Sequence, residues 1–344
     1  MASPRLESLC CINITDKEPF IGTKAYNITC VISSSLSILG AAYMLLPRQV
    51  PNNARVRRNL GYERQMKIIN WLTVADVLAC VGILVRSSAW LIDFPNFKKI
   101  PLAPATEPGD RWFCAVTGAW IQYFYITTYF WTFCFAVDVF LLTRKKPSLM
   151  WLYHVVSWMV SASFCLDGLI PLYYPSLTRC ERNPINLIPH YVATLLPIVM
   201  VMICNPILYI LSARRVSGLL TVTSGRYTDQ ERHVVKQIKE KFALIITVFY
   251  VCWAPNVVNG ILILTCSAGE FSGGMVAMDV MMGILNPLQA FFNSLIYRGC
   301  VGCTNLRLAI TSERDIQTPA QPNEQDGDEE SPLLGRARQL KSEK

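Results

Sequence analysis

The chain has 344 residues, of which 52% are hydrophobic and 16% are charged, and its formal net charge is +8. A soluble domain usually carries about 25% charged residues, so the composition argues against a soluble globular protein. The basic residues lie in short loops between apolar blocks, and this distribution argues against a nucleic-acid partner. Several blocks approach or exceed the roughly 20 apolar residues that a helix needs to cross a bilayer. The sequence predicts an all-α membrane protein.

Seven apolar blocks predict seven membrane spans. Backbone groups inside a bilayer must find partners in their own segment, so each block is expected to be a helix. We divide the chain into an N-terminal segment (1–25), a seven-helix bundle (26–299) and a polar tail (300–344) that should be disordered. The expected spans are Tyr26–Leu46, Met66–Ile92, Trp112–Leu142, Leu149–Leu172, His190–Leu211, Phe242–Cys266 and Met275–Tyr297.

The loop charges predict the orientation. Basic residues concentrate after spans 1, 3 and 5, and positive loops stay in the cytosol. Asn13 and Asn27 begin glycosylation sequons, which are used only on the lumenal side. The N-terminus is therefore expected to be lumenal or extracellular and the C-terminus cytosolic. The basic loop residues are Arg48, Arg55, Arg57, Arg58, Arg64, Arg144, Lys145, Lys146, Arg214 and Arg215.

Two cysteines lie at or near the non-cytosolic ends of the spans. Cys114 is at the start of span 3, and Cys180 is in the loop between spans 4 and 5. A disulfide can form in this compartment, and it would tie the loop across the bundle. Two unpaired thiols are the alternative.

Asp138 follows Cys114 by 24 residues, about 36 Å along a helix. It is therefore expected at the cytosolic end of span 3. Rhodopsin-like G-protein-coupled receptors have a D-R-Y motif at this separation, but here the motif reads Asp138-Val139-Phe140, without the arginine. The alternative is a capping or interface aspartate.

Span 2 contains Leu72-Thr73-Val74-Ala75-Asp76, which resembles the L-x-x-A-D signature of the same superfamily. A carboxylate inside a membrane is costly and usually faces the bundle interior. Asp76 is therefore expected to bind sodium, share a proton or pair with span 7. Arg86 lies farther along the same span, and Asp167 of span 4 is a candidate partner.

Span 6 contains Cys252-Trp253-Ala254-Pro255, which resembles the receptor C-W-x-P motif. Pro255 removes a backbone hydrogen bond and is expected to kink the helix, so Trp253 could move when an outer cavity is filled. A purely structural kink is the alternative. Asn256 and Asn259 add polar groups toward the expected ligand cavity.

Span 7 contains Asn286-Pro287, which resembles the start of N-P-x-x-Y, although Ala290 replaces the tyrosine. The stretch from Gln289 instead resembles the Q-G-F-F run of secretin-like and cyclic-AMP-type receptors. Asp279 lies two turns outward and is expected to face the cavity, because exposure to lipid is costly.

These patterns define two predicted sets of residues. The ligand-binding candidates are Asp279, Asn256, Asn259, Trp253, Arg86 and Asp167. The activation-switch candidates are Asp76, Asp138, Pro255, Asn286 and Pro287.

The segments near the cytosolic surface carry interaction motifs. Lysines alternate with apolar residues before span 6, so this extension could receive a partner's helix or lie on anionic lipid. Cys300 and Cys303 are palmitoylation candidates. They have C-x-x-C spacing, but the sequence offers no second pair of metal ligands near them, so a metal site is not expected. Glu329, Leu333 and Leu334 fit the acidic dileucine pattern that clathrin adaptors read.

The chain as a whole resembles the ocular albinism type 1 receptor family. That resemblance implies a melanosomal and endolysosomal receptor that signals through heterotrimeric G proteins, with arrestin as a further partner. It also implies small tyrosine-derived ligands (L-DOPA, dopamine, tyrosine), a role in melanosome biogenesis, and neither enzymatic activity nor a cofactor. The resembling stretches are Met1–Leu6, Val85–Ser87, Asp93–Phe97, Trp120–Gln122, Tyr173–Ser176, Arg179–Arg182, Ile188–Val192 and Met282–Pro287.

Other classes of membrane protein fit less well. A retinal pump needs a Schiff-base lysine, and none lies in span 7. A zinc hydrolase needs several converging histidines, and the sequence has three. A transporter stays open as an alternative, because Asp76, Asp167, Asp279 and Arg86 could line a pathway. A second alternative is an organelle membrane protein that does not couple to G proteins.

Overall fold

The computed structural model describes residues 23–46, 60–92, 108–144, 146–174, 184–222, 229–265 and 272–298. The chain divides into two compact units, Met1–Arg298 and Gly299–Lys344, and all described residues lie in the first. Within these ranges the chain forms seven long helical segments and no strand. They are α1 (Lys24–Leu45), α2 (Leu60–Ile92), α3 (Pro108–Thr143), α4 (Met150–Tyr173), α5 (Pro184–Val222), α6 (Asp229–Thr265) and α7 (Ser272–Arg298).

The predicted all-α bundle of G-protein-coupled receptor type is confirmed. In the described part of the chain, α1 to α6 are each long and apolar enough to cross a membrane. The 27 residues of α7 also give a length of about 40 Å. α7 carries four polar side chains, Asp279, Asn286, Gln289 and Asn293. All four are buried, so these polar groups face other helices rather than lipid.

α3 is the central helix of the bundle. It packs against α2, α4 and α5, while α1 packs mainly against α2 and α7. Two apolar clusters follow one another along the bundle. The first includes Tyr125 and Trp253, in the half that contains Cys114, and the second includes Phe135 and Phe242, in the half that contains Asp138. We call these the Cys114 half and the Asp138 half.

α4 is interrupted by a π-helical segment. Met150–His154 is α-helical, Val155–Val160 is π-helical, and Ser161–Tyr173 is α-helical again. A π segment adds about one residue to a helical turn. The residues after Val160 are therefore rotated by about 100° from where a regular α-helix would place them.

Neighbouring helices satisfy two carbonyls that prolines leave without their usual donor. A proline cannot donate to the carbonyl four residues earlier. For Pro206 of α5 that acceptor is the Met202 carbonyl, and it receives a hydrogen bond from the Tyr250 hydroxyl of α6. For Pro287 of α7 it is the Gly283 carbonyl, and Ser33 of α1 donates to it at 3.0 Å. Such contacts allow a membrane helix to tolerate proline.

Candidate functional site

The Cys114 half contains buried polar side chains that come from several helices. Arg86 and Asp279 are each 1% exposed, and Asn259 is fully buried. Asn259 Nδ2 donates to Asp279 Oδ1 at 3.5 Å, which joins α6 to α7. Arg86 Nη2 lies 3.8 Å from Cys114 Sγ, which joins α2 to α3. A cation, a carboxylate and amides are thus enclosed by one group of helices.

Tyr26 belongs to the same polar group. This α1 residue is 3% exposed, and it lies within electrostatic range of both Arg86 and Asp279. Tyr173 of α4 is also within electrostatic range of Arg86. Sequence reasoning did not single out either tyrosine as a site residue. In the sequence, Tyr26 marks only the start of span 1, since a lone tyrosine near a membrane interface does not indicate that its side chain faces inward.

Trp253 lies at the centre of the bundle and contacts two other helices. Its ring packs edge to face against Tyr125 and Tyr129 of α3, with centroid distances of 4.8 and 4.6 Å. Its Nε1 donates to Gln289 Oε1 of α7. Pro255 follows two residues later in α6. Any rotation of α6 at this proline must therefore change contacts with both α3 and α7.

Asp76 is 3% exposed and accepts a hydrogen bond from Thr128 Oγ1 at 3.0 Å. Cys80, one turn later in α2, lies 3.6 Å from the Pro287 carbonyl of α7. Asn286 is also buried, at 2% exposure. Among the described residues, neither Asp76 Oδ2 nor the Asn286 amide has a protein partner. Buried polar atoms of this kind are commonly hydrated.

Asp138 organises the opposite half of the bundle. Its side chain is fully buried, and Arg64 Nε reaches its two carboxylate oxygens at 2.8 and 2.7 Å. Ser148 Oγ and the Tyr153 hydroxyl donate to Asp138 Oδ1 at 2.8 and 3.0 Å. Arg64 Nη1 also donates to the Lys146 carbonyl at 2.7 Å. This Asp138 network joins α2, α3, α4 and the α3–α4 connection.

The network supplies an arginine that the sequence motif lacks. The residue after Asp138 is Val139, which points into the apolar core. Arg64 comes instead from the first turns of α2, and its side chain is 12% exposed. We expected Arg64 in the loop after span 1, because the span was placed from its apolar residues alone. α2 begins earlier, at Leu60, so Arg64 lies on the helix and reaches α3.

Comparison with known proteins identifies the family. Residues 1–332 match the model of a family described as ocular albinism type 1 protein. The chain belongs to the ocular albinism type 1 protein family. It is 34% identical to human G-protein coupled receptor 143 over 319 residues, which cover 88% of this chain and 78% of that protein. This family member is therefore a receptor of the G-protein-coupled class and not an enzyme.

Two more distant relatives belong to other receptor groups. The family member is 24% identical to cyclic AMP receptor-like protein C of Dictyostelium discoideum over 238 residues, or 67% of this chain and 62% of that protein. It is also 24% identical to the C3a anaphylatoxin chemotactic receptor of Oncorhynchus mykiss over 289 residues, or 78% of this chain and 70% of that protein. These similarities match the mixture of motifs in spans 2, 3, 6 and 7.

The structure brings five of the six ligand-binding candidates into the bundle interior. Arg86, Asn256, Asn259, Asp279 and Trp253 are all buried. Asp167 is not among them, because its side chain is exposed on the outside of α4. The prediction that Asp167 pairs with Arg86 is wrong, because the π segment Val155–Val160 turns the following part of α4 so that Asp167 faces outward. In a regular α-helix Asp167 would lie only about 40° from the direction of the buried Tyr153.

The predicted glycosylation, disulfide, palmitoylation and sorting residues lie partly inside and partly outside the described residues. Asn27 is 2% exposed, and its Nδ2 donates to the Thr23 carbonyl at 3.0 Å, so this geometry disfavours a glycan there. Cys114 lies in α3, whereas Cys180 lies outside the described residues, so their disulfide stays a prediction. The other sites outside the described residues are Asn13, Cys300, Cys303, Glu329, Leu333 and Leu334.

Proposed function

We propose that this receptor binds a small polar ligand in the Cys114 half and activates heterotrimeric G proteins at the Asp138 half. The observation that carries the proposal is the position of Trp253, which belongs to the apolar cluster of the Cys114 half and bonds to a neighbouring helix. It contacts α3 and α7 and lies two residues before Pro255, the proline inside α6. A ligand that displaces Trp253 would change how α6 sits against both helices.

The proposed ligands are tyrosine-derived, such as L-DOPA, dopamine and tyrosine. Asp279 can bind an ammonium group, and Arg86 can bind a carboxylate in bidentate geometry. The amides of Asn256 and Asn259 can accept from or donate to ring hydroxyls. Trp253 presents an aromatic surface beneath them. The family resemblance supports this ligand class, and the buried charges are compatible with it.

Activation would require the Asp138 network to open. Arg64 and Asp138 hold α2 and α3 together, while Tyr153 and Ser148 fix the start of α4. A pivot of α6 at Pro255 would open a cleft at this end, and a G-protein helix would enter it. We propose that the network stabilises the closed state, as the arginine of a D-R-Y motif does in the resembling receptors.

We further propose a melanosomal, late-endosomal or lysosomal location, with a role in melanosome biogenesis and pigmentation. The loop charges support a lumenal N-terminus and a cytosolic tail. Clathrin adaptors would read Glu329, Leu333 and Leu334, arrestin would bind the activated receptor, and palmitoylated Cys300 and Cys303 would contact membrane lipid. Some receptor would also reside at the plasma membrane.

The test is nucleotide exchange by a G protein in vesicles that contain the purified receptor. L-DOPA, dopamine and tyrosine should each be assayed as activators. Asp279→Asn and Asn259→Leu should raise the half-maximal ligand concentration by about tenfold or more, since each removes an interaction of about 1.5 kcal/mol. Asp167→Asn is the matched control, because it neutralises an exposed carboxylate.

The outcome separates a receptor from a transporter. Unchanged ligand responses in both pocket variants would reject the pocket. Uptake of a candidate ligand into the vesicles without any nucleotide exchange would reject the receptor proposal and favour the transporter alternative.

A further inference from the structure

The connection between α3 and α4 lies directly against the Asp138 network. Residues 146–149 are not helical. The Lys146 carbonyl accepts from Arg64 at 2.7 Å, and Ser148 Oγ donates to Asp138 Oδ1 at 2.8 Å. Lys146 and Pro147 are exposed, and Ser148 is half-buried. A short irregular segment thus carries a hydroxyl that touches the buried carboxylate.

We infer that Ser148 is a phosphorylation site whose modification opens the Asp138 network. The inference rests on the proposed function in one respect, namely that this half of the bundle faces the cytosol. A protein kinase would transfer the γ-phosphoryl group of ATP to Ser148 Oγ. The Oγ–P bond forms as the bond to the β-phosphate oxygen breaks, the hydroxyl proton passes to the kinase's base, and ADP leaves.

The residues before Ser148 favour a kinase that selects basic substrates. Arg144, Lys145 and Lys146 precede it, with Pro147 between. Charge patterns of this kind determine kinase–substrate pairing. Arg144 is exposed, with its guanidinium 4.4 Å from the Phe140 ring centroid. The neighbouring Thr143 is a poorer acceptor, because it lies within the helix α3, whereas Ser148 lies in the non-helical residues 146–149.

Phosphorylation would change the charge of the network. Arg64 and Asp138 currently balance each other, and a phosphate would add about −1.5 to −2 charges. The hydroxyl proton that Ser148 now donates to Asp138 would be lost. Arg64 would be drawn toward the phosphate, since guanidinium groups bind phosphate in bidentate geometry. The repulsion between phosphate and carboxylate would then separate the α3–α4 connection from α3.

The first experiment tests whether the site is modified. The full-length receptor is expressed in cells treated with a phosphatase inhibitor and purified. A second sample is incubated with ATP and the catalytic subunit of a cyclic-AMP-dependent protein kinase, and Ser148 occupancy is measured by mass spectrometry. We expect phosphate on Ser148 in both samples, none in Ser148→Ala, and unchanged occupancy in Thr143→Val. Detection of the unmodified Ser148 peptide alone in both samples would overturn the inference.

The second experiment tests whether the network opens. Amide hydrogen exchange is compared between phosphorylated and unphosphorylated receptor, and Asp138→Asn serves as the reference for a broken network. Amides at the start of α2 and in residues 146–149 should exchange about tenfold faster after phosphorylation, as expected for the loss of about one charge-assisted hydrogen bond. Equal or slower exchange would mean that the phosphate tightens the network, which would overturn the inference.

A third measurement separates this inference from the proposed function. Basal nucleotide exchange on a G protein should rise when Ser148 is phosphorylated. If Ser148 is phosphorylated and the network opens, but no G protein responds, then the coupling proposal fails and the inference about Ser148 stands. If G proteins respond to ligand but Ser148 is never modified, the reverse holds.

Discussion

At the scale of single residues, the Asp138 network shows that a missing motif residue can be replaced from another helix. Asp138 was recognised from its distance to Cys114, and the lack of an arginine after it seemed to remove its usual partner. Arg64 restores the pairing from α2. Sequence reasoning could not find this pair, because no local spacing relates two residues that are 74 positions apart.

The pair predicts the effect of removing either partner. Breaking a buried ion pair costs about 3–5 kcal/mol, because a charge is left without compensation, and the partial exposure of Arg64 makes the lower end of that range the better estimate. Arg64→Gln should therefore lower the thermal stability of the purified receptor and raise basal nucleotide exchange. Both are measured against Arg144→Gln, which removes an exposed guanidinium.

A double-mutant cycle makes this prediction specific. The double variant Arg64→Gln, Asp138→Asn should lose less stability than the two single variants lose in total, because Asp138→Asn removes the carboxylate that Arg64→Gln leaves uncompensated. Additive effects would show that the two side chains do not interact. A stability of Arg64→Gln equal to that of the parent receptor would contradict the network as a stabilising feature.

At the scale of the helices, polar contacts between neighbours compensate for prolines. The positions of the seven helices could be predicted from apolar blocks, because hydropathy depends on local composition. In the described part of the chain, six of them, α1 to α6, are long and apolar enough to cross a membrane. The extension of α6 before Phe242 could also be predicted, because apolar residues alternate with lysines there at helical spacing. The extension of α5 beyond its apolar block could not. The direction of Asp167 was also mispredicted, because no residue pattern in Val155–Val160 announces a π segment. Helix position is thus easier to predict than helix rotation.

The two proline contacts predict measurable losses of stability. Ser33→Ala and Tyr250→Phe each leave a proline-freed carbonyl without its donor. Hydrogen bonds between membrane helices contribute about 0.6 kcal/mol on average and up to about 1.7, so each variant should unfold at a lower denaturant concentration. The matched controls are Thr29→Ala and Thr247→Ala, whose hydroxyls donate within their own helices. Equal losses in variants and controls would argue against the role of these contacts.

At the scale of the whole molecule, the buried polar side chains separate into a group near each end and a group between them. Most interior members were predictable, because a charged or amide side chain within an apolar span tends to face the bundle interior. Arg86, Asp76, Asp279 and Asn286 follow that rule. Tyr26 and Tyr173 were not predictable as site residues, since aromatic residues are common both in cores and at membrane surfaces. Their roles depend on how the helices assemble.

The tail makes a prediction about where the molecule resides. Leu333→Ala together with Leu334→Ala should move receptor from internal membranes to the cell surface, because adaptors would no longer select it. Surface biotinylation of expressing cells measures the fraction, and Leu340→Ala in the same tail is the control. An unchanged surface fraction would remove the sorting role of the dileucine.

The proline contacts also bear on how the bundle can bend. The carbonyls that Pro206 of α5 and Pro287 of α7 leave without a backbone donor are bonded from other helices, by Tyr250 and Ser33. The equivalent acceptor for Pro255 is the Val251 carbonyl, and in the described part of the chain no side chain of another helix donates to it. Within the described residues, α6 therefore lacks at Pro255 the inter-helix hydrogen bond that α5 has at Pro206 and α7 has at Pro287. When contacts change in the Cys114 half, we expect α6 to bend at Pro255. The part of α6 before Pro255 should then move relative to the rest of the Asp138 half.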